Sequence, residues 1–304
     1  MLIKSIGINS RDFSLGMRVL LVLINTLVLF RTRLKESVMS DTRIIGNVSL
    51  ISLTDGHGSG SPNDIFPESE MEVWINEYSD LMDSDGLIHP RYGSVAVRSM
   101  GKLIIIDTGN GPPEGLMMDD LSSKGIDSDD VDLVLITHLH GDHVGWNFTN
   151  GVPSFPNARY LIPKADWDYW TAPDILDEYS VLGSQVLPLE EYQILDLIEG
   201  EYSITTEVTA LPTPGHTPGH ISVSIMSSGE KGFILGDVAL SPAQAKYTDW
   251  NPSFDVDPSR ARSTRHKVLD QLEADGSIVS AGHFPSPGFG KFVSEKSGRY
   301  WQEF

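Results

Sequence analysis

From residue 44 onward, short apolar and β-branched runs alternate with clusters of glycine, proline, serine and aspartate. Residues 44–53 predict a strand, 54–67 a loop and 70–81 a short helix. Residues 95–97 and 103–106 predict a hairpin turning at Met100, Gly101 and Lys102. Its second strand is apolar without a break, which predicts burial on both faces, and it runs straight into Asp107, Thr108 and Gly109. Residues 127–130 offer caps and acids for a helix start, and 131–136 a further strand. More strands are expected at 158–162, 203–210, 221–226, 232–235 and 278–280. The strongest helix is 257–274, with Pro258 in its first turn and Val268, Leu269 and Leu272 as an apolar stripe. No repeat of 20 to 50 residues is visible. Strands and helices intermixed without a long linker predict one layered α/β domain.

The first 40 residues do not fit this pattern. An apolar run at 19–30 is preceded by Lys4, Arg11 and Arg18 and followed by Arg31, Arg33 and Lys35. It is shorter than the roughly 20 residues that span a bilayer, and no small-residue cleavage site follows it. It reads as an uncleaved anchor, a poor secretion signal, or sequence upstream of a start at Met39. The third reading is preferred, because an ordinary strand pattern begins directly after it. The expected division is therefore residues 1–40, a basic and apolar leader, and 41–304, the functional domain. A cytoplasmic location goes with that preference; a membrane-anchored or exported protein goes with the other two, and only then is membrane contact expected.

Composition narrows the chemistry. Of 304 residues, 40% are hydrophobic and 21% charged, which suits a globular chain with a substantial core. A formal charge of −20 argues against a nucleic-acid partner and favours a neutral or weakly polar small molecule. There are no cysteines, so a transition metal would be held by imidazole and carboxylate alone.

The segment Thr137-His138-Leu139-His140-Gly141-Asp142-His143 packs three imidazoles and a carboxylate into six residues at the end of a predicted strand. Alternate residues of an extended chain point the same way, so His138 and His140 can converge on one point. Gly141 opens a turn that redirects Asp142 and His143 toward a second. His216, Asp237 and His283 also lie at predicted strand ends, each behind a glycine that lets the backbone approach a ligand site. Five imidazoles and two carboxylates suit two borderline metal ions better than calcium or magnesium.

The order His-x-His-x-Asp-His, then Thr213-Pro214-Gly215-His216-Thr217-Pro218-Gly219-His220, then Gly236-Asp237, then Gly282-His283 resembles the metallo-β-lactamase superfamily over about residues 44–300. The resemblance implies a single-domain α/β fold, a four-layer αββα sandwich. It implies two divalent metal ions, zinc first with manganese, iron or cobalt as alternatives. His138, His140 and His216 would bind the first ion, Asp142, His143 and His283 the second, and Asp237 would bridge them. Asp107 matches a position that orients a ligating histidine, though an ordinary turn is an equal expectation. Thr217 is expected as a cap and His220 as structural.

The implied reaction is hydrolysis of a lactone, ester or phosphotriester by a metal-bridging hydroxide, with Asp142 or Asp237 relaying a proton. Many N-acyl homoserine lactonases carry a tyrosine where this chain has Leu240. The stretch from Trp250 to Pro258, Thr264-Arg265, and the run from His283 to Gly290 are similar to the methyl parathion hydrolase-like branch. Trp146, Phe284, Phe289, Trp74, Phe66 and Leu87 are candidates for a pocket wall, with core packing the stronger expectation for each singly. Two other readings stand beside the hydrolase: a mononuclear iron dioxygenase acting on a thiol or persulfide, and a noncatalytic metal-binding module. A homodimer is a possible assembly.

Overall fold

The computed structural model describes residues 41–176, 179–296 and 298–304. The apolar run at 19–30 lies outside these residues. Among them no helix is long and apolar enough to cross a membrane.

Two seven-stranded sheets form the centre. The first runs in the order β1 (Thr42–Ile45), β2 (Val48–His57), β3 (Arg91–Ser99), β4 (Lys102–Ile106), β5 (Leu133–Leu135), β8 (Arg159–Pro163) and β9 (Leu195–Ile198). A small hairpin, β6 (Phe148–Thr149) and β7 (Val152–Pro153), stands apart from it. The second sheet runs β10 (Tyr202–Ser203), β11 (Val208–Pro212), β12 (Ile221–Ser227), β13 (Glu230–Ile234), β14 (Ile278–Ser280), β15 (Phe289–Glu295) and β16 (Gly298–Glu303).

The period-2 alternation of each strand decides what it packs against. Along β4, Ile104 and Ile106 point into the core between the sheets, where they join Val95, Val97 and Leu135 with Val208, Val223, Ile225 and Ile234 of the second sheet. Leu103 and Ile105 point the other way, under helical residues such as Leu121, Trp170 and Leu182. The outer face of the second sheet, with Phe233, Leu235 and Val279, is covered by Leu269 and Leu272 of the helix Pro258–Asp275. Both sheets are thus buried on both faces, and the layers stack as helix, sheet, sheet, helix.

Two predicted strands prove to be hairpins. The run at 44–53 is broken by Gly46 and Asn47, which turn β1 onto β2. Gly46 has φ +57°, and a Cβ there would stand 2.3 Å from the carbonyl oxygen of Ser227, so only glycine fits. The run at 203–210 is broken where the Thr205 hydroxyl accepts from the amides of Glu207 and Val208, a side-chain turn that competes with the strand. The predicted helix at 70–81 forms as Met71–Glu77 followed by a 3₁₀ turn at Ser79–Leu81. The helix Pro258–Asp275 starts where expected, its N-cap Asp257 accepting from the Arg260 amide.

Candidate metal centre

The chemistry-bearing residues all follow the carboxyl ends of strands. Asp107 follows β4, the His138 to His143 segment follows β5, His216 follows β11, Asp237 follows β13 and His283 follows β14. In layered α/β proteins this edge is where loops are free of the ladder and converge on ligands.

All seven residues singled out in the sequence come together. His138 and His140 approach through Nε2 and Nδ1 at 3.1 Å, and His216 Nε2 lies 2.9 Å from the same His140 nitrogen. Asp142 Oδ2 lies 3.8 Å from His143 Nε2 and 3.7 Å from His283 Nε2. Between these two groups stands Asp237. Its Oδ2 is 3.6 Å from His138 Nε2, 3.4 Å from His143 Nε2, 3.2 Å from His216 Nε2 and 3.1 Å from His283 Nε2.

Such spacings suit cations. Ligands held tetrahedrally at about 2.0–2.1 Å from zinc sit roughly 3.3 Å from one another. Three groups of donors come near that spacing, their ligand atoms all within 4.8 Å of one another: His138 with His140 and His216, His138 with His143 and Asp237, and Asp142 with His143 and His283. Buried His143 Nε2 and Asp237 Oδ1 have no hydrogen-bond partner among the described residues. Buried polar atoms without a partner are costly, and a cation between them removes that cost.

The rear nitrogens are tied down. His143 Nδ1 donates to Asp107 Oδ2 at 2.8 Å, His216 Nδ1 to Asp255 Oδ1 at 2.8 Å, and His283 Nδ1 to the Arg91 carbonyl at 2.7 Å. Each bond fixes the tautomer that leaves Nε2 as the inward lone pair. Asp107 therefore orients a histidine, and it also accepts from the amide and hydroxyl of Thr137. It sits at φ +61°, which turns the chain out of β4.

Asp255 escaped the sequence reading as an orienting group. Its other oxygen lies 3.3 Å from Arg265 Nη2, and neither side chain is accessible to solvent. Arg265 also donates to the carbonyls of Val238, Thr248 and Trp250. Two further carboxylates act on backbone. Asp166 accepts from the amides of Leu139 and Gly219, joining the two histidine loops, and Asp55 accepts from Asn110, Gly111, Met117 and the Trp146 indole. His220 is structural, and its place is specific: its Nε2 accepts from the Asp237 amide at 2.8 Å. Burial and the nearby charge of His216 push its pKa down to about 3, so it stays the neutral acceptor.

The electrostatics are those of a site that seeks positive charge. Burial acts against ionisation of Asp237, yet the imidazoles of His283, His143 and His138 hold it well below the usual carboxylate range. His216 rises to about 9 because Asp237 and Asp255 outweigh its burial. His143 and His283 also rise against their burial, His143 through Asp237, Asp107 and Asp142, and His283 through Asp237 and Asp142. His138 and His140 are pushed well down by burial and by neighbouring imidazoles.

Three local expectations are corrected. Gly141 has no left-handed φ; it begins a one-turn helix, Gly141–Val144, and that turn swings Asp142 and His143 inward. The glycines before His216 and Asp237 admit protein rather than ligand: a Cβ at Gly215 would meet the Ala261 amide nitrogen at 2.2 Å, and one at Gly236 the His220 ring at 2.6 Å. The cavity of about 800 Å³ over the donors is walled by Tyr92, Trp170, Tyr179, Leu240, Phe254 and Val256, among others. None of Trp146, Phe284, Phe289, Trp74, Phe66 and Leu87 lines it. Phe66, Trp74, Phe284 and Phe289 are wholly buried in the cores, as the packing expectation had it.

Residues 94–283 match the family model described as the metallo-beta-lactamase superfamily. The chain is 28% identical over 184 residues to an N-acyl homoserine lactonase of Bacillus thuringiensis, covering 60% of this chain and 65% of that protein. It is 28% identical over 178 residues to the N-acyl homoserine lactonase AttM of Rhizobium radiobacter, covering 55% and 64%. The match thus spans just under two thirds of these relatives. Among solved structures, the hydrolase AbOPH of the beta lactamase superfamily aligns with a TM-score of 0.77 at 26% identity, covering 86% of this chain and 96% of that one. AidC, a dizinc quorum-quenching lactonase solved with a product, aligns with a TM-score of 0.77 at 25% identity over the same shares.

Proposed function

The chain belongs to the metallo-β-lactamase superfamily, and on that premise we propose that it is a hydrolase that holds two divalent cations, zinc first, and opens lactones or the equivalent esters. His138, His140 and His216 would hold one cation and Asp142, His143 and His283 the other, with Asp237 placed to serve both. The observation that carries this reading is the position of Asp237 Oδ2, within 3.1 to 3.6 Å of four inward imidazole nitrogens drawn from both groups.

Divalent cations bound there supply Lewis acidity, lowering the pKa of water toward neutrality and polarising an ester carbonyl. The protein does the rest. Asp107, Asp255 and the Arg91 carbonyl hold the imidazoles in one orientation, so no reorganisation is needed during turnover. Asp142, whose side chain is 24% exposed, faces the cavity and can carry a proton from the attacking water to the departing oxygen. Asp237, 4% exposed, stays an anion and serves only to hold charge.

A lactone bearing an acyl chain suits the aromatic wall and the net charge of −20, which repels anions. The names of the relatives, N-acyl homoserine lactonases, point the same way. The test is a panel of acylated γ-lactones, aryl esters, phosphotriesters and thioesters, assayed on zinc-loaded and chelated protein. Lactones are expected to turn over fastest, with activity lost on chelation and restored by zinc. Protein that holds two zinc ions yet turns over none of the panel would end the proposal. One iron per chain with oxygen uptake on a thiol would favour the dioxygenase instead.

A further inference from the structure

The cavity above the donors is not uniform. At the His140 and His216 end its wall is apolar. The Trp170 ring stands 5.2 Å from that of His140, Tyr179 packs 5.0 Å from Trp170, and the Val256 amide is bonded to the His216 carbonyl. Phe254, 53% exposed, adds a further aromatic face. Beside His283 stand the polar groups Tyr92 and Asp142, with the apolar Pro90 and Leu240 around them. An ester has an apolar acyl side and an oxygen that must leave with charge. The aromatic rings over His140 suit the acyl chain, which leaves the departing oxygen beside His283, Tyr92 and Asp142.

Tyr92 is the distinctive group beside His283. Its ring meets that of His283 edge-on, with centroids 6.5 Å apart. Its hydroxyl has no hydrogen-bond partner among the described residues. The oxygen lies over Gly58, where a Cβ would come within 2.8 Å of it, so the absence of a side chain there leaves the phenol its place. A phenol beside that ligand set is a hydrogen-bond donor in the neutral range.

From this placement we infer that Tyr92 is a further catalytic residue, donating a hydrogen bond to the leaving oxygen of the substrate, and that the aromatic wall over His140 sets which end of the ester it meets. The inference rests on the hydrolase reading above. Water adds its oxygen to the acyl carbon, the bond from that carbon to the ring oxygen breaks, and the electron pair stays on the ring oxygen. The water's proton reaches that oxygen by way of Asp142, and Tyr92 ends unchanged, having stabilised the alkoxide as it formed.

The test is Tyr92→Phe in the zinc-loaded full chain, where removing an unpartnered hydroxyl breaks no internal bond. Zinc content and melting temperature are expected to match the parent. The kcat for an alkyl lactone should fall about 100-fold, and that for a p-nitrophenyl ester, whose leaving group needs no help, less than about 3-fold. Calorimetry should show the ring-opened hydroxy acid binding about 5-fold more weakly. Equal loss on both substrates, or none on either, with unchanged product affinity, overturns the role of Tyr92 alone. A parent enzyme inactive on both substrates overturns the hydrolase reading, and Tyr92 with it.

Discussion

Replacing Asp255 by Asn tests whether the site is held from behind. The change keeps the shape of the side chain and removes its charge. It leaves Arg265, also inaccessible, with a guanidinium whose carboxylate has gone. Breaking a buried ion pair costs about 3–5 kcal/mol. The lower end applies here, because the carbonyls of Val238, Thr248 and Trp250 still accept from Arg265. For a domain of this size about 3 kcal/mol lowers the melting temperature by about 6–12 °C. The second effect is on His216, whose Nδ1 loses its carboxylate acceptor at 2.8 Å. Loss of such a partner weakens metal binding about 10- to 100-fold. Calorimetric melting and competition with a chromophoric chelator read the two effects separately. A variant that melts within about 1 °C of the parent and holds zinc equally well would refute the orienting role of Asp255.

Three other outcomes are expected. Asp237→Ala should reduce bound metal below two per chain and cut lactone or ester turnover by at least about 100-fold, since one oxygen serves both donor groups; full metal content with full activity would remove its shared role. Zinc affinity should climb as pH rises. Without metal, His216 carries a proton up to about pH 9, and the pKa values of His143 and His283 are raised as well, so cations must displace those protons, whereas His138 and His140 are already neutral. Titration in buffers of different ionisation enthalpy should show net proton release at neutral pH, and a flat affinity from pH 6.5 to 8.5 would contradict this. A chain truncated to begin at Met39 should melt and bind metal as the full chain does, because residues Thr42–Phe304 form one compact unit; aggregation would show that the leader is structural.

The donors were legible because four of them sit within six residues and the other three stand at strand ends beside glycine. The groups that orient them were not, since a lone Asp55, Asp166 or Asp255 in a polar stretch looks like any turn former. Only folding brings Asp255 to His216, 39 positions away, and Asp55 to Trp146, 91 positions away. The layers were readable from uninterrupted strands such as β4. The C-terminal hairpin of β15 and β16 was missed because β16 is an edge strand whose residues alternate only between exposed and partly buried, with no run of apolar residues. The pocket wall was misjudged because nearness in sequence to His143 or His283 says nothing about direction. Trp146 turns back to Asp55, while Phe254 and Tyr179, from distant loops, face the cavity.

Five imidazoles and two carboxylates sharing two cations is the arrangement on which everything else depends. Anomalous diffraction at the zinc absorption edge, on crystals grown with zinc, tests it directly. Two peaks about 3.5–4 Å apart are expected, one among His138, His140 and His216, the other among Asp142, His143 and His283, with Asp237 touching both. A single peak, or zinc bound away from Asp237, would contradict it.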